Sequence, residues 1–172
     1  MHDDFISRIR VTRNYLDRPL ADEHLNKLIE AARWTGSSKN NQAWSLIVID
    51  DRQQIERLAS AGSFTGPFAT AVAVLVPVKG PQGNDFDIGR MAQSIIATAD
   101  LLGIGACPVT LHDLKRSQEV LGLPDDHEAH WCVSLGYPNV KAEEVARDER
   151  RSSGWIPSGR KPTDEFVHHQ RW

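Results

Sequence analysis

Ala31-Ala32-Arg33-Trp34-Thr35-Gly36-Ser37-Ser38-Lys39-Asn40-Asn41-Gln42-Ala43-Trp44 is the stretch on which the reading of this chain turns. It opens as the close of an amphipathic helix. Leu25, Leu28, Ile29 and Ala32 recur at helical spacing, so one stripe is buried from about Glu23 to Arg33. The chain then breaks into small and polar residues. It resolves into Leu46-Ile47-Val48-Ile49, read as a strand from Ser45 to Ile49. Between Gly36 and Gln42 lie hydroxyls, amides and several backbone N–H groups with little bulk. Such a loop can rest against a flat polar ligand and hydrogen-bond its edge. Ser/Asn/Gly clusters also make plain polar connections, and the stretch alone does not separate the two.

Upstream, Pro19 ends what precedes it, and Asp22 is the expected N-cap of the helix with Glu23 in its first turn. From Phe5 to Tyr15, Arg8, Arg10 and Arg13 alternate with Ile6, Ile9, Val11 and Tyr15, which fits a short helix followed by an extended piece. Arg10 and Arg13 form either an anion site or a solvated basic face.

Downstream, Asp50-Asp51 is expected to cap a short helix through Ala59, and Gly62 to Pro67 is a turn-rich connector. Thr70 to Val78 is a near-continuous apolar run, read as a strand buried on both faces. Asp85 to Leu102 is the longest helix. Ile88, Met91, Ala92, Ile95, Ile96, Ala99 and Leu102 line it, and it serves as a core helix or a dimer contact. Gly103 is placed to end it. Ile104 to Thr110 reads as a strand, and Asp113 as the cap of a helix to Leu121. His130 to Leu135 alternates with Trp131, Val133 and Leu135 on one face. Lys141 to Arg151 is a dense charge run without apolar periodicity, read as a solvated loop.

A length of 172 residues fits a single domain over residues 1–172, and a net charge of −3 argues against a nucleic-acid partner. No apolar run reaches the roughly 20 residues of a membrane span. Met1-His2-Asp3-Asp4 lacks the features of a signal peptide, so the cytoplasm is expected. Cys107 and Cys132 sit in apolar settings without CxxC spacing and read as small core residues. No metal is expected: His168 and His169 are adjacent, so their side chains diverge, and no acidic or thiolate partner lies at ligand spacing. Gly103-Ile104-Gly105 follows a helix rather than a strand and lacks the third glycine of a dinucleotide fingerprint. No nucleophile elbow, Walker loop, HExxH or catalytic carboxylate pair is present, so an enzyme built on this chain would borrow its chemistry from a cofactor.

The order of features is more specific than any one of them. There is an arginine-rich start, then Ser37-Ser38-x-Asn40-x-Gln42-x-Trp44 before a strand. The long helix ends Ala99-x-x-Leu102-Gly103-x-Gly105, the next strand ends Leu135-Gly136-Tyr137-Pro138, and Gly159-Arg160-Lys161-Pro162 lies near the terminus. Together these resemble the nitroreductase family of FMN flavoproteins over nearly the whole chain. The resemblance implies an α+β fold, a mainly antiparallel sheet flanked by helices and dimerised through long helices, with FMN at the interface of a homodimer.

It also implies a set of cofactor-binding residues and no obligate catalytic side chain. Arg13 and Arg160 match the family's phosphate-holding cations, Arg10 belongs to the same cluster, and Thr12 is placed to substitute for a phosphate-binding serine that Val11 replaces. Ser37, Ser38, Asn40 and Gln42 match the loop that contacts the flavin ring and ribityl chain. Pro108, Val109 and Thr110 match the segment on the ring's other side, with the Thr110 backbone N–H as the donor near N5. The implied activity is ping-pong reduction of a nitroaromatic, a quinone or another small electron-poor acceptor, with NADPH or NADH as co-substrate. A flavin-dependent dehydrogenase of a specific metabolite, or a flavin-binding protein without turnover, is the alternative. Gly62–Pro67 and Gly80–Asn84 are short where many relatives carry a helical insertion, which predicts an open site or one covered by Lys141–Trp155. Phe64 and Trp155 are candidate walls for a planar substrate, or ordinary aromatics.

Overall fold

A computed structural model describes residues 5–153 and 159–172. Residues 1–140 form one compact unit and residues 141–172 another. The first unit is a four-stranded, wholly antiparallel sheet in the order β1-β2-β4-β3, with β1 at Trp44–Ile49, β2 at Ala73–Lys79, β3 at Gly105–Thr110 and β4 at Trp131–Gly136. Helices cover both faces. Against one face pack α2 (Asp22–Arg33) and α4 (Asp85–Leu101), whose Leu28, Met91 and Ile95 meet Leu75, Val133 and Leu135 of the sheet. Against the other lie α3 (Arg52–Ala59) and α5 (Leu114–Leu121), where Ile55 and Leu58 meet Val74, Val76, Val109 and Cys132. A single turn of helix, α1 at Phe5–Arg8, precedes the first extended segment.

Strand period explains the layering. Successive side chains point to opposite faces, so Ala73 and Leu75 go to one core and Val74, Val76 and Val78 to the other. The run through β2 is apolar because both faces are dry, as expected. In β4 the alternation is real but does not divide core from solvent. Val133 and Leu135 enter one core, while Cys132 and Ser134 are equally buried in the other.

Helix ends follow local chemistry, with one correction. Ala21, not Asp22, occupies the N-cap of α2 and makes no side-chain cap; Asp22 is the first helical residue. There Asp22 and Glu23 still oppose the positive end of the helix. Asp51, Asn84 and Asp113 cap α3, α4 and α5, each accepting a backbone N–H three positions on. Gly103 and Gly122 take the left-handed conformation just past α4 and α5, with φ of 68° and 65°. α4 is a core helix, burying Ile88, Met91, Ile95 and Ala99.

The second unit holds α7 (Thr163–Phe166) and all but the first residue of α6 (Val140–Ser152). The charge run at Lys141–Arg151 is therefore helix rather than loop. Its long-chain Lys, Glu and Arg residues are good helix formers, and Arg150 reaches back to the buried Glu143 at 3.5 Å. Among the described residues no helix is long and apolar enough to cross a membrane.

Both thiols are buried and unbridged, and burial pushes the Cys132 thiol above its ordinary range, with Cys107 nearby adding to the effect. A thiolate is the reactive form, so native protein at pH 8 is expected to resist a disulfide reagent. Both thiols should titrate once the chain is unfolded in guanidinium. Prompt labelling of the native protein would contradict this burial.

Candidate functional site

The open edge of β3 carries one half of the expected site. Below it runs a strap from Thr12 to Leu16. The Thr12 N–H donates to the Ala106 carbonyl at 3.0 Å, the Leu16 N–H to Tyr137 at 2.8 Å, and Asn139 donates back to Asn14 at 3.0 Å. Two glycines admit the strap. A Cβ on Gly105 would meet the Thr12 side chain at 2.6 Å, and one on Gly136 would meet the Tyr15 Cβ at 2.6 Å. Tyr15 pins it from beneath. Its buried hydroxyl lies 2.7 Å from the Thr12 carbonyl and 2.9 Å from the Ser134 hydroxyl, which in turn donates to Cys107 at 3.2 Å.

Arg10 and Thr12 therefore sit together at the Gly105 end of β3, with Arg13 next along the strap. Arg10 is exposed and its guanidinium donates to the Ser7 and Ile9 carbonyls; Thr12 and Arg13 are half-buried. Arg8, Arg10 and Thr12 border a cavity of about 180 Å³ beside Gly105, and Asp100 in the same wall faces Arg8 at 3.8 Å. This is a basic cradle closed by backbone, suited to a small anion.

At the other end of the same edge lies Thr110. The Leu111 N–H bonds to His130 across the sheet at 2.8 Å. Antiparallel ladders alternate, so Val109 also faces β4 while Pro108 and Thr110 turn their backbone groups to the open edge. Pro108, which has no N–H to donate, is exposed there. The Thr110 N–H therefore points to that edge, and Val109 is buried as core. Of these three, only Pro108 and Thr110 line the edge.

Ser37, Ser38, Asn40 and Gln42 lie elsewhere, at the start of β1 on the opposite edge of the sheet. Lys39, Asn40 and Gln42 all take left-handed φ values, 53°, 53° and 50°. Left-handed backbone costs an L-residue about 1–2 kcal/mol, and such strain gathers at ligand sites. Hydrogen bonds hold it: the Gln42 N–H donates to the Ser37 hydroxyl at 2.9 Å, and the Gln42 side-chain amide to Asn40 at 3.3 Å. The Ser37 hydroxyl thus orders the loop and keeps its own proton to give. Ser38, Asn40 and Gln42 are exposed.

Arg90, which the sequence reading missed, fixes this loop to α4. Its guanidinium donates to the Gly36 carbonyl at 2.7 Å and touches the buried Asp87 at 3.4 Å. The available signal was the Asp87/Arg90 spacing of one helical turn in the opening of α4. Gly83 is the second support, because a Cβ there would strike the Ala43 carbonyl at 2.5 Å.

Strap and loop occupy diagonal corners of one sheet. Three interstrand steps and the length of β3 put them roughly 20 Å apart, with helices over both faces between them. Arg160 belongs to the second unit, where it is exposed and donates to the Gly159 carbonyl at 3.1 Å. Trp155 lies outside the described residues. Among the described residues no three His, Cys, Asp or Glu side chains gather to hold a metal.

The model of the nitroreductase family matches residues 6–79 and 64–137. The chain belongs to the nitroreductase family. A curated relative from Archaeoglobus fulgidus, named "Putative NADH dehydrogenase/NAD(P)H nitroreductase", is 29% identical over 174 residues, covering 95% of this chain and 94% of its own. An NADPH-dependent oxidoreductase of Staphylococcus aureus is 23% identical over 98% of this chain and 73% of its own length. Among solved structures, an FMN-dependent nitroreductase of Clostridium difficile R20291 superposes with a TM-score of 0.78 at 22% identity, covering 98% of both chains. That likeness bears out the nitroreductase-like α+β fold.

Proposed function

We propose that this nitroreductase-family chain is an FMN-dependent oxidoreductase that uses NADPH or NADH to reduce nitroaromatic, quinone or similar electron-poor acceptors. One observation carries the reading: the open edge of β3 has a basic strap at one end and an unspent backbone N–H at the other. The donor set fits the cofactor. A phosphate dianion suits Arg10, Arg13 and the Thr12 hydroxyl, the family resemblance adds Arg160 as a further cation, and each charge-assisted hydrogen bond contributes about 1.5–3 kcal/mol. The flat ring system suits the Thr110 N–H on one side. Ser37, Ser38, Asn40 and Gln42 suit its polar edge, where donors stabilise negative charge. When bound, FMN supplies the hydride chemistry that no side chain here provides.

Because strap and loop lie on opposite edges of one sheet, the reading includes a second copy of the chain. The loop of one protomer completes the β3 edge of its partner, making a homodimer with two shared sites. Protein side chains position and tune, and solvent supplies protons.

The purified protein is expected to be yellow, with an absorption band at about 450 nm that NADPH or NADH bleaches without oxygen. Addition of a nitroaromatic or quinone should restore the band, and initial-rate plots should be parallel. A colourless protein that takes up no FMN would overturn the proposal. A yellow one that neither nicotinamide bleaches would leave binding without turnover.

A further inference from the structure

The turn after α3 folds onto the end of β3 and places two exposed groups beside Thr110 that neither core uses. Gly62 comes so close that a Cβ would meet the Thr110 carbonyl at 2.9 Å. The next residue, Ser63, donates its N–H to His112 Nδ1 at 3.2 Å. Phe64 is 69% exposed, and its ring stands edge-on to the His112 imidazole with centroids 6.0 Å apart. Asp113 then donates its N–H to Ala61 at 2.9 Å, closing the turn.

The Ser63 bond fixes the chemistry of the imidazole. A nitrogen that accepts a hydrogen bond carries no proton, so in the neutral ring the proton sits on Nε2. His112 is exposed, so that donor is open to a ligand. This corner therefore presents two N–H donors, from Thr110 and from His112 Nε2, next to a bare phenyl face.

We infer that His112 and Phe64 form the seat for the acceptor. Phe64 stacks a flat electron-poor ring, and His112 Nε2–H donates a hydrogen bond to its carbonyl or nitro oxygen. This rests on the function proposed above and adds what that reading lacks, a group in this short chain that orients the substrate. The stoichiometry of quinone reduction shows where the bond matters. NAD(P)H loses two electrons and one proton and leaves as NAD(P)+. The quinone gains these and one solvent proton to become the hydroquinone. Negative charge grows on the quinone oxygen during transfer, so a donor aimed at it helps more as the reaction proceeds. His112 is a positioning residue here, since no proton of its own need leave.

Two substitutions separate this role from support of the turn. His112→Asn keeps an acceptor near Nδ1 for the Ser63 N–H and removes the distal donor. His112→Gln reaches the Nε2 position with an amide N–H. FMN content and anaerobic reduction by dithionite, which needs no seat, are measured first and should match wild type in both. Coumarin, flat and carbonyl-bearing but not reduced, is then titrated calorimetrically into the oxidised FMN-loaded protein. Its dissociation constant should rise about tenfold in His112→Asn and stay near wild type in His112→Gln, with the quinone KM following the same order. Ferricyanide, which accepts electrons singly without a donor-lined seat, should be reduced equally by all three. Equal coumarin affinity in wild type and His112→Asn, with FMN bound and reduced normally, overturns this inference alone. Wild-type protein that takes up no FMN overturns both this and the function it rests on.

Discussion

Replacing Arg13 and Arg160 together by alanine is expected to strip FMN from the purified protein. The phosphate of the cofactor is a dianion, and the described residues offer it cations at the strap and near the C-terminal end of the chain. Each guanidinium–phosphate contact contributes about 1.5–3 kcal/mol, so the pair accounts for about 3–6 kcal/mol, or two to four powers of ten in affinity. Arg160 is exposed, which moves its share toward the lower end. Arg160 is exposed, so Arg160→Ala measured alone should leave the melting temperature of the apoprotein nearly unchanged. Equilibrium titration of apoprotein with FMN, read by quenching of flavin fluorescence, checks the result. Unchanged affinity in the double variant would remove the phosphate assignment while leaving the fold intact.

Tyr15→Ala is expected to do the opposite, acting first on stability and then on the cofactor. Tyr15 is 3% exposed, packs against Gly136, and holds the Thr12 carbonyl and Ser134 hydroxyl through its own hydroxyl. Truncating a buried aromatic costs about 3–5 kcal/mol, which for a chain of this size lowers the melting temperature by roughly 10 °C. The loss also frees the strap that carries Thr12 and Arg13 and follows directly on Arg10, so FMN affinity should fall even where the chain remains folded. Tyr15→Phe isolates the second effect. It keeps the ring in place and costs only about 1–2 kcal/mol, yet leaves the Thr12 carbonyl unanchored. Thermal melts followed by circular dichroism, alongside the FMN titration, check both. A Tyr15→Phe protein with wild-type FMN affinity would mean that the strap needs only packing to hold its place.

Most of the layer architecture was legible in the residues. The stripe of α2, the long α4, and the doubly buried β2 follow from period and length, because burial imposes those periods directly. What local pattern cannot carry is strand direction. The apolar run of β2 reads as buried on both faces whether its neighbours run parallel or antiparallel, so the antiparallel order came only from family resemblance. The run at Lys141–Arg151 was misread for a related reason. Burial there is limited to Glu143 and a few partial contacts, so intrinsic helix propensity, not amphipathic patterning, marks α6. Asp22 was misplaced by one residue because an acidic side chain favours both the cap and the first turn.

The candidate site divides in the same way. Ser37, Asn40 and Gln42 drew notice for their chemistry, yet their left-handed backbone and its anchor through Arg90 and Gly36 are contacts distant in sequence. Thr110 was named for its N–H through the resemblance, and the ladder alternation set by Leu111 and His130 gives the physical reason that N–H is available. His112 carried no signal in sequence, since its importance depends on Ser63 and Phe64 arriving beside it.

In the proposed homodimer, one protomer's β3 edge and its partner's loop share each FMN, and mixing two inactive variants distinguishes this from a site within one chain. One carries Arg10→Ala with Arg13→Ala; the other carries Asn40→Ala with Gln42→Ala. Co-refolded in equal amounts, half the dimers are mixed, and each mixed dimer holds one intact site, so FMN binding should recover to about a quarter of the wild-type sites. If the mixture binds no more FMN than the two variants measured apart, each site is built within a single chain and the shared arrangement is wrong.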